Sequence, residues 1–207
     1  MKKQIFLSAI LLASCVVSGS LTVQAQTTDP DDANLETQLY LIVGTNQEVD
    51  QPRLPAALDP VVKQLRAALP FKNYRLAATL INRVKNEGRL ELSFIGGPLA
   101  TQSIAATSTA PSFSQFKVRQ VKLTRNSDNQ AIVQMLGFNF GARIPIQSPG
   151  PIAANGTVTP ILNYENTGVS TDISMREAEP VIVGTLNVGP SNDAIILVVS
   201  AKRAPMK

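Results

Sequence analysis

The side chains that carry most enzymatic and metal chemistry are absent from this sequence or stand outside its body. The 207 residues include no histidine and a single cysteine, Cys15. That removes imidazole acid–base catalysis, Ser-His-Asp triads, a thiol nucleophile in the body of the chain and ordinary zinc sites. Carboxylate and lysine chemistry remain. Glu165, Asp172, Glu177 and Glu179 are the densest acidic set. A glycosidase-type pair needs two carboxyls facing each other at a fixed separation, and these four lie in or beside stretches that read as turns, where carboxylates are solvated. Asp29, Asp31 and Asp32 offer oxygen ligands for calcium but lack EF-hand spacing; they read as a solvated spacer. The expectation is a chain that is not an enzyme and holds no cofactor or metal.

Two further sets point to surfaces. Lys117, Arg119, Lys122 and Arg125 make one strand and its turn basic, a candidate surface for an acidic partner. Lysines also protect an edge strand from unwanted pairing. Gly141 to Pro160, reading GARIPIQSPGPIAANGTVTP, holds four prolines and three glycines. Prolines cannot donate to a ladder, so this stretch is not expected to be a central strand or a helix; it reads as a long projecting loop. Gly141, Arg143, Ile144, Pro145, Pro149, Gly150 and Pro151 are its candidate interaction residues. Gly184 and Gly189 in GTLNVG do not make a phosphate loop, since no lysine and no helix pattern follow; they read as turn residues.

The N-terminus sets the compartment. Lys2 and Lys3 precede an apolar run from Ile5 to Val17, too short to cross a bilayer as a helix. Val23-Gln24-Ala25 then offers a signal-peptidase site with cleavage before Gln26. Leu12-Ala13-Ser14-Cys15 offers a competing reading, a lipobox in which Cys15 is acylated. Either way the body is expected outside the cytoplasm, periplasmic or associated with the outer membrane of a bacterium. Any membrane contact would be through that lipid anchor alone. Of the 19 Lys and Arg, two lie in this segment, leaving 17 against 15 acidic residues. That balance, with no tryptophan, argues against nucleic acid. With 16% charged and 44% hydrophobic residues the chain is globular, not disordered.

The remaining pattern predicts an α+β, mainly β protein: antiparallel sheets with one principal helix, about residues 60–69, after the first strand. Residues 26–36 form an acidic spacer. Residues 37–98 form a small strand–helix–hairpin unit. Within it Thr37–Thr45 is a strand, and Asp59 is the N-cap of a helix with Pro60 at its first position. Leu58, Val61, Val62, Leu65, Ala68 and Leu69 fall on one helix face and Lys63, Gln64 and Arg66 on the other. Tyr74–Val84 and Arg89–Ile95 alternate about Asn86-Glu87-Gly88 and read as a hairpin packed on the helix. Residues 99–112 form a Ser/Thr/Ala linker. Residues 113–204 form an antiparallel β-domain. In it Phe116 and Val118 take one phase and Val121 and Leu123 the other, which predicts a bulge near Arg119-Gln120. Asn126–Asn129 is a turn and Gln130–Phe140 the returning strand. Thr157 to Arg203 divides into four apolar runs at NTG, REAEP and GPSND. The last run, Ala194–Ala201, is apolar throughout and belongs mid-sheet, buried on both faces.

The C-terminal half resembles the core β-domain of bacterial secretins, the outer-membrane rings of type II and III secretion and type IV pilus machines. Asn129, Ala131, Gly141, Ile144 and Pro145 stand in the family's order. Tyr164, Gly168, Val169, Asp172 and Ile173 match its Tyr-x-x-x-Gly-Val step, and Val181, Val183 and Gly184 a following strand end. Ile195–Ser200 then runs into Arg203. The resemblance covers roughly Lys122 to Arg203. The family carries a longer segment after the Gly184 position and several ring-building domains upstream; here only Thr185–Asp193 and Thr37–Ile95 fill those places. The resemblance implies a non-enzymatic envelope protein, a structural or interaction component of a secretion- or pilus-type assembly. It would have protein partners and a candidate homo-oligomeric state. The alternative is a periplasmic or lipid-anchored ligand-binding module unrelated to secretion.

Overall fold

The computed structural model describes residues 33–47, 54–95, 111–148, 150–151, 161–188 and 193–205. The signal segment, Cys15, the three spacer aspartates, Pro149 and residues 152–160 lie outside the described residues, as do the linker's residues 99–110.

Among the described residues nine strands and one α-helix follow in order: β1 (Asn34–Thr45), a 3-10 turn (Ala56–Leu58), α1 (Asp59–Ala68), β2 (Asn73–Lys85), β3 (Leu90–Ile95), β4 (Phe113–Val118), β5 (Gln120–Arg125), β6 (Ala131–Ser148), β7 (Ile161–Arg176), β8 (Val181–Val188) and β9 (Asp193–Arg203). They build two antiparallel sheets. Sheet A has the order β2-β1-β9-β8. In sheet B, β4 and β5 lie end to end along one side of β6, β3 pairs β4 outside them, and β7 runs along the other side of β6.

The alternation of side chains explains the layering. On β1, Leu35, Leu39, Leu41 and Val43 point between the sheets, where they meet Phe116, Phe138, Phe140 and Met135 of sheet B. Tyr40 and Ile42 point the other way, onto Leu58, Val61 and Leu65 of the helical segment. β9 does the same with Ile195, Leu197 and Val199 on one face and Ile196 and Val198 on the other. It lies between β1 and β8, so the expected two-faced burial is observed. The layers are therefore helix, sheet A and sheet B.

The helix starts differently from the expectation. Leu58, not Asp59, is the capping residue, Asp59 is inside the helix, and no side chain caps the end. The cause is the 3-10 turn before it: Leu58 N–H donates to the Pro55 carbonyl at 2.9 Å, which sets Leu58 near helical dihedrals. The helix ends as expected, with Leu69 extended before Pro70. The Tyr74 hydroxyl donates to the Leu65 carbonyl at 3.0 Å, a second bond to an oxygen that also accepts from the Leu69 N–H at 2.8 Å, and so ties the helix end to β2. Val61 and Leu65 are buried and Lys63, Gln64 and Arg66 exposed; Ala68 is exposed too.

The bulge at Arg119 separates β4 from β5, as the phase slip predicts. Opposite it Gly137 has φ of +63°, which only glycine adopts freely. Its N–H donates to the Asp172 carboxylate at 2.5 Å, and the β6–β7 register slips at that point. Asn126 closes the turn before β6 by accepting from the N–H groups of Asp128 and Gln130.

Other expectations are corrected. β2 and β3 are not a hairpin: β2 pairs β1 in sheet A and β3 pairs β4 in sheet B. Asn86-Glu87-Gly88 is a corner between sheets. It is held by Asn86 Oδ1 accepting from Leu123 N–H at 2.8 Å and by Glu87 N–H donating to the Val121 carbonyl at 2.8 Å. A turn signal between two alternating runs is the same for a corner and a hairpin. Residues 141–148 continue β6 rather than project as a loop. β4 begins at Phe113 opposite Arg143, so at Pro145 the strand has a partner only in β7, and proline is tolerated where one side is open. The NTG at 166–168 lies inside β7, and Gly184 lies inside β8 beside a register shift. Asn34–Glu36 belong to β1 rather than the spacer. The stretches 37–98 and 113–204 share a sheet and a core, because β1 lies between β2 and β9.

Candidate interaction surface

The residues singled out as chemical sites are placed apart. Asp172 is engaged by Gly137. Glu177 grips the Arg203 guanidinium through both oxygens, at 2.9 to 3.1 Å to Nε and 2.7 Å to Nη2, and that hydrogen bonding holds its carboxyl below the ordinary range against a smaller opposing effect of burial. Glu179 lies 4.0 Å from Arg176. Glu165 is exposed on β7. Among the described residues no group of three acidic, histidine or cysteine side chains could hold a metal ion.

The basic set is largely answered within the chain. Lys117 Nζ is 2.8 Å from Glu91 of β3 and Lys122 Nζ is 3.0 Å from Glu87 of the corner. Arg125 donates to Asn129 Oδ1 at 2.9 Å. Arg119 packs against the backbone of Gly137.

The outer face of sheet B is different at the end where β3 finishes and β4 starts. Direct pairing lines up Ile95, Phe113, Arg143 and Asn166 across β3, β4, β6 and β7. Phe113 stands in the phase opposite to Phe116 and Val118, so its ring faces out while theirs are buried. The Phe113 and Tyr164 rings lie 5.8 Å apart, and the Arg143 guanidinium sits over the Tyr164 ring at 5.5 Å from its centroid. The Tyr164 hydroxyl donates to the Pro111 carbonyl at 3.2 Å. Further along β7 on this face comes Leu162; Ile161, next to it, takes the opposite phase. Among the described residues the exposed large apolar side chains are Ile95 (71%), Ile81 (61%), Ile161 (47%), Leu162 (41%) and Phe113 (38%). All but Ile81 lie at this end of sheet B.

One row inward the face drops to backbone. Gly141 pairs with Gly168. A Cβ on Gly141 would meet nothing within 4 Å, whereas one on Gly168 would lie 2.5 Å from the Phe140 carbonyl oxygen. Gly141 therefore leaves open space on the face, and Gly168 lets the two strands approach.

Of the candidate interaction residues, Gly141 and Arg143 belong to this surface. Ile144 and Pro145 are buried, Gly150 and Pro151 are described without a regular element, and Pro149 lies outside the described residues. Sequence reasoning missed Ile95, Phe113 and Leu162. The legible signal was Phe113, an aromatic on the polar phase of a strand.

No protein-family model matches the sequence, and no curated protein matches it. Among solved structures, the InvG secretin domain β-barrel from the Salmonella SPI-1 injectisome superposes with a TM-score of 0.38 and 9% identity, over 85% of this chain and 64% of that one. The Klebsiella pneumoniae type II secretion system outer membrane complex (PulD, PulS and PulC HR domain) gives 0.32 and 9%, over 84% of this chain and 39% of the matched one. The chain thus spans less than two thirds of either. These scores are too low to establish a shared fold.

Proposed function

We propose that this chain is a non-enzymatic exported protein that serves as an interaction component of a cell-envelope assembly, making its contacts through the exposed end of sheet B. The carrying observation is the gathering of Ile95, Phe113 and Leu162 beside the Arg143–Tyr164 pair. Exposed apolar side chains scattered singly are ordinary; grouped ones mark contact surfaces, and Tyr and Arg are the residues that anchor such contacts. The order of residues that resembles secretins between Lys122 and Arg203, and the N-terminal stretch that reads as an export signal, support a secretion- or pilus-type setting.

The test is a Phe113→Ala/Leu162→Ser double variant of the exported chain, followed by sedimentation velocity and by co-purification after cross-linking in the envelope fraction. Both side chains lie outside the core, so thermal unfolding stays close to that of the parent, while self-association or partner capture is lost. Unchanged sedimentation together with unchanged cross-linked partners rules out this surface as the contact.

A further inference from the structure

We infer that Arg143 and the glycine floor beside it form a docking site for a protein segment that presents a carboxylate next to an apolar side chain. The inference rests on reading the end of sheet B as an interaction surface, and it names the chemistry of the partner.

The charge argument comes first. On the outer face of sheet B, Lys117 and Lys122 are each matched by a glutamate. Arg143 is exposed, and no carboxylate among the described residues lies within ion-pair distance of it; its guanidinium sits over the Tyr164 ring. The ring sits beneath the guanidinium and limits where it can swing. A held guanidinium offers a planar fork of donors suited to two carboxylate oxygens, and it is weakly hydrated, so it gives up water readily. One cation without a carboxylate at this end of the face calls for a single anion. A membrane surface or a polyanion is gripped by a field of several cations; here Lys117 and Lys122 are paired with glutamates, and Arg119 and Arg125, which have no carboxylate within ion-pair distance among the described residues, lie toward the β5 end.

The shape argument follows. Next to Arg143 along β6, Gly141 leaves open space where another residue would put a side chain. Gly168 beside it adds no side chain, and Phe113 with Ile95 forms an apolar rim one row away. An apolar side chain laid on that floor meets backbone below, Gln115 beside it on β4 and the Phe113 ring one row away. A carboxylate two residues along the same extended segment then falls near Arg143, since same-face rows are about 7 Å apart. An acidic residue two positions from a Leu or Phe in an extended segment supplies both groups.

The experiment uses the exported chain, uniformly labelled with nitrogen-15, and two capped pentapeptides, Ala-Phe-Ala-Asp-Ala and its Asn counterpart Ala-Phe-Ala-Asn-Ala, in which the apolar and polar side chains share one face of an extended chain. The Asp peptide shifts the Gly141 and Gly168 amide resonances and binds about tenfold more tightly than the Asn peptide, the scale of one charge-assisted pair. Arg143→Gln reduces the Asp peptide to the level of the Asn peptide and leaves the Asn peptide unchanged. Gly141→Val enters open space, keeps the fold and weakens both peptides. Equal affinity for the two peptides, or an equal loss of both on Arg143→Gln, overturns the inference. So does Arg143-dependent sedimentation with phosphatidylglycerol vesicles, or Arg143-dependent self-association, that the Asp peptide does not displace; these identify a lipid surface or a second copy instead. If Phe113→Ala/Leu162→Ser abolishes partner capture but the two peptides bind alike, only the carboxylate is wrong. If that double variant changes nothing, the wider reading of the surface fails.

Discussion

The two ends of the outer face of sheet B follow the same pleat and differ in how their charges are met. At the end bearing β5, Lys122 and Lys117 lie against Glu87 and Glu91, and hydrogen bonding from Lys117 holds the Glu91 carboxyl below its ordinary range. That end is a solvated surface that satisfies itself. At the end bearing Phe113, an aromatic pair and a cation stand exposed beside bare backbone. The contrast separates a polar face that only keeps the sheet in water from one that has something left to bind.

The largest expected effect sets Phe116 against Phe113, three residues apart on opposite faces of β4. Phe116→Ala empties a buried site and costs about 3–5 kcal/mol, whereas Phe113→Ala stays within about 1 kcal/mol. Urea midpoints measured side by side check this. Equal losses would place Phe113 in the core and remove the contrast between the two ends.

Next are the paired glycines. Gly168→Ala drives a methyl group onto the Phe140 carbonyl and forces β6 and β7 apart, at a cost of about 1–3 kcal/mol. Gly141→Ala enters open space and shifts stability by under about 0.5 kcal/mol. Thermal unfolding of the two variants should separate clearly. Similar behaviour would mean that the floor beside Arg143 is not open.

A smaller effect concerns Glu177 and Arg203, which tie the β7–β8 turn to the end of β9. Arg203 keeps the Glu177 carboxyl ionised below its ordinary range. A lowered folded-state value contributes stability above the unfolded-state value and loses it as pH falls through the folded one. The group is partly exposed, so its contribution is about 1 kcal/mol or less. Glu177→Gln should therefore unfold slightly earlier than the parent at pH 7, and the two curves should converge once pH drops below the carboxylate range. A gap that persists in acid would trace the loss to packing rather than charge.

The smallest effect is at the self-satisfied end. Lys117→Ala, which breaks an exposed pair, should change stability by under about 0.5 kcal/mol and leave partner capture untouched. A loss of capture would extend the contact surface along the whole face.

The sequence showed some of this plainly. The helix face, the bulge at Arg119 and the two-faced burial of β9 follow from side-chain period, and the period survives into the fold. Connections did not read as well. Asn86-Glu87-Gly88 carries the same turn chemistry whether the next strand pairs with the last one or crosses to another sheet. What decides it is the distant Leu123 amide reaching the Asn86 side chain. The prolines of residues 141–151 suggested a break at Gly141. Whether Pro145 can stay in a strand depends on where the neighbouring strand begins, which local sequence does not state. Arg143 was picked out, but for a loop. Its role on the surface depends on Tyr164 and Phe113, brought to it by pairing across three strands.

The position of β9 bears on how the chain reaches this state. Sheet A joins the earliest described strand to the last one, so its middle is missing until the final eleven-residue strand is available. Closing a contact across nearly the whole chain is slow. Until that happens the apolar inner face of β1 has no partner on one side. A chain arrested between Val188 and Asp193 would hold every strand of sheet B but leave β1 and β8 as open edges, the form most prone to mispairing. Arrival of β9, rather than any local hairpin, is then the event that commits the molecule to its fold.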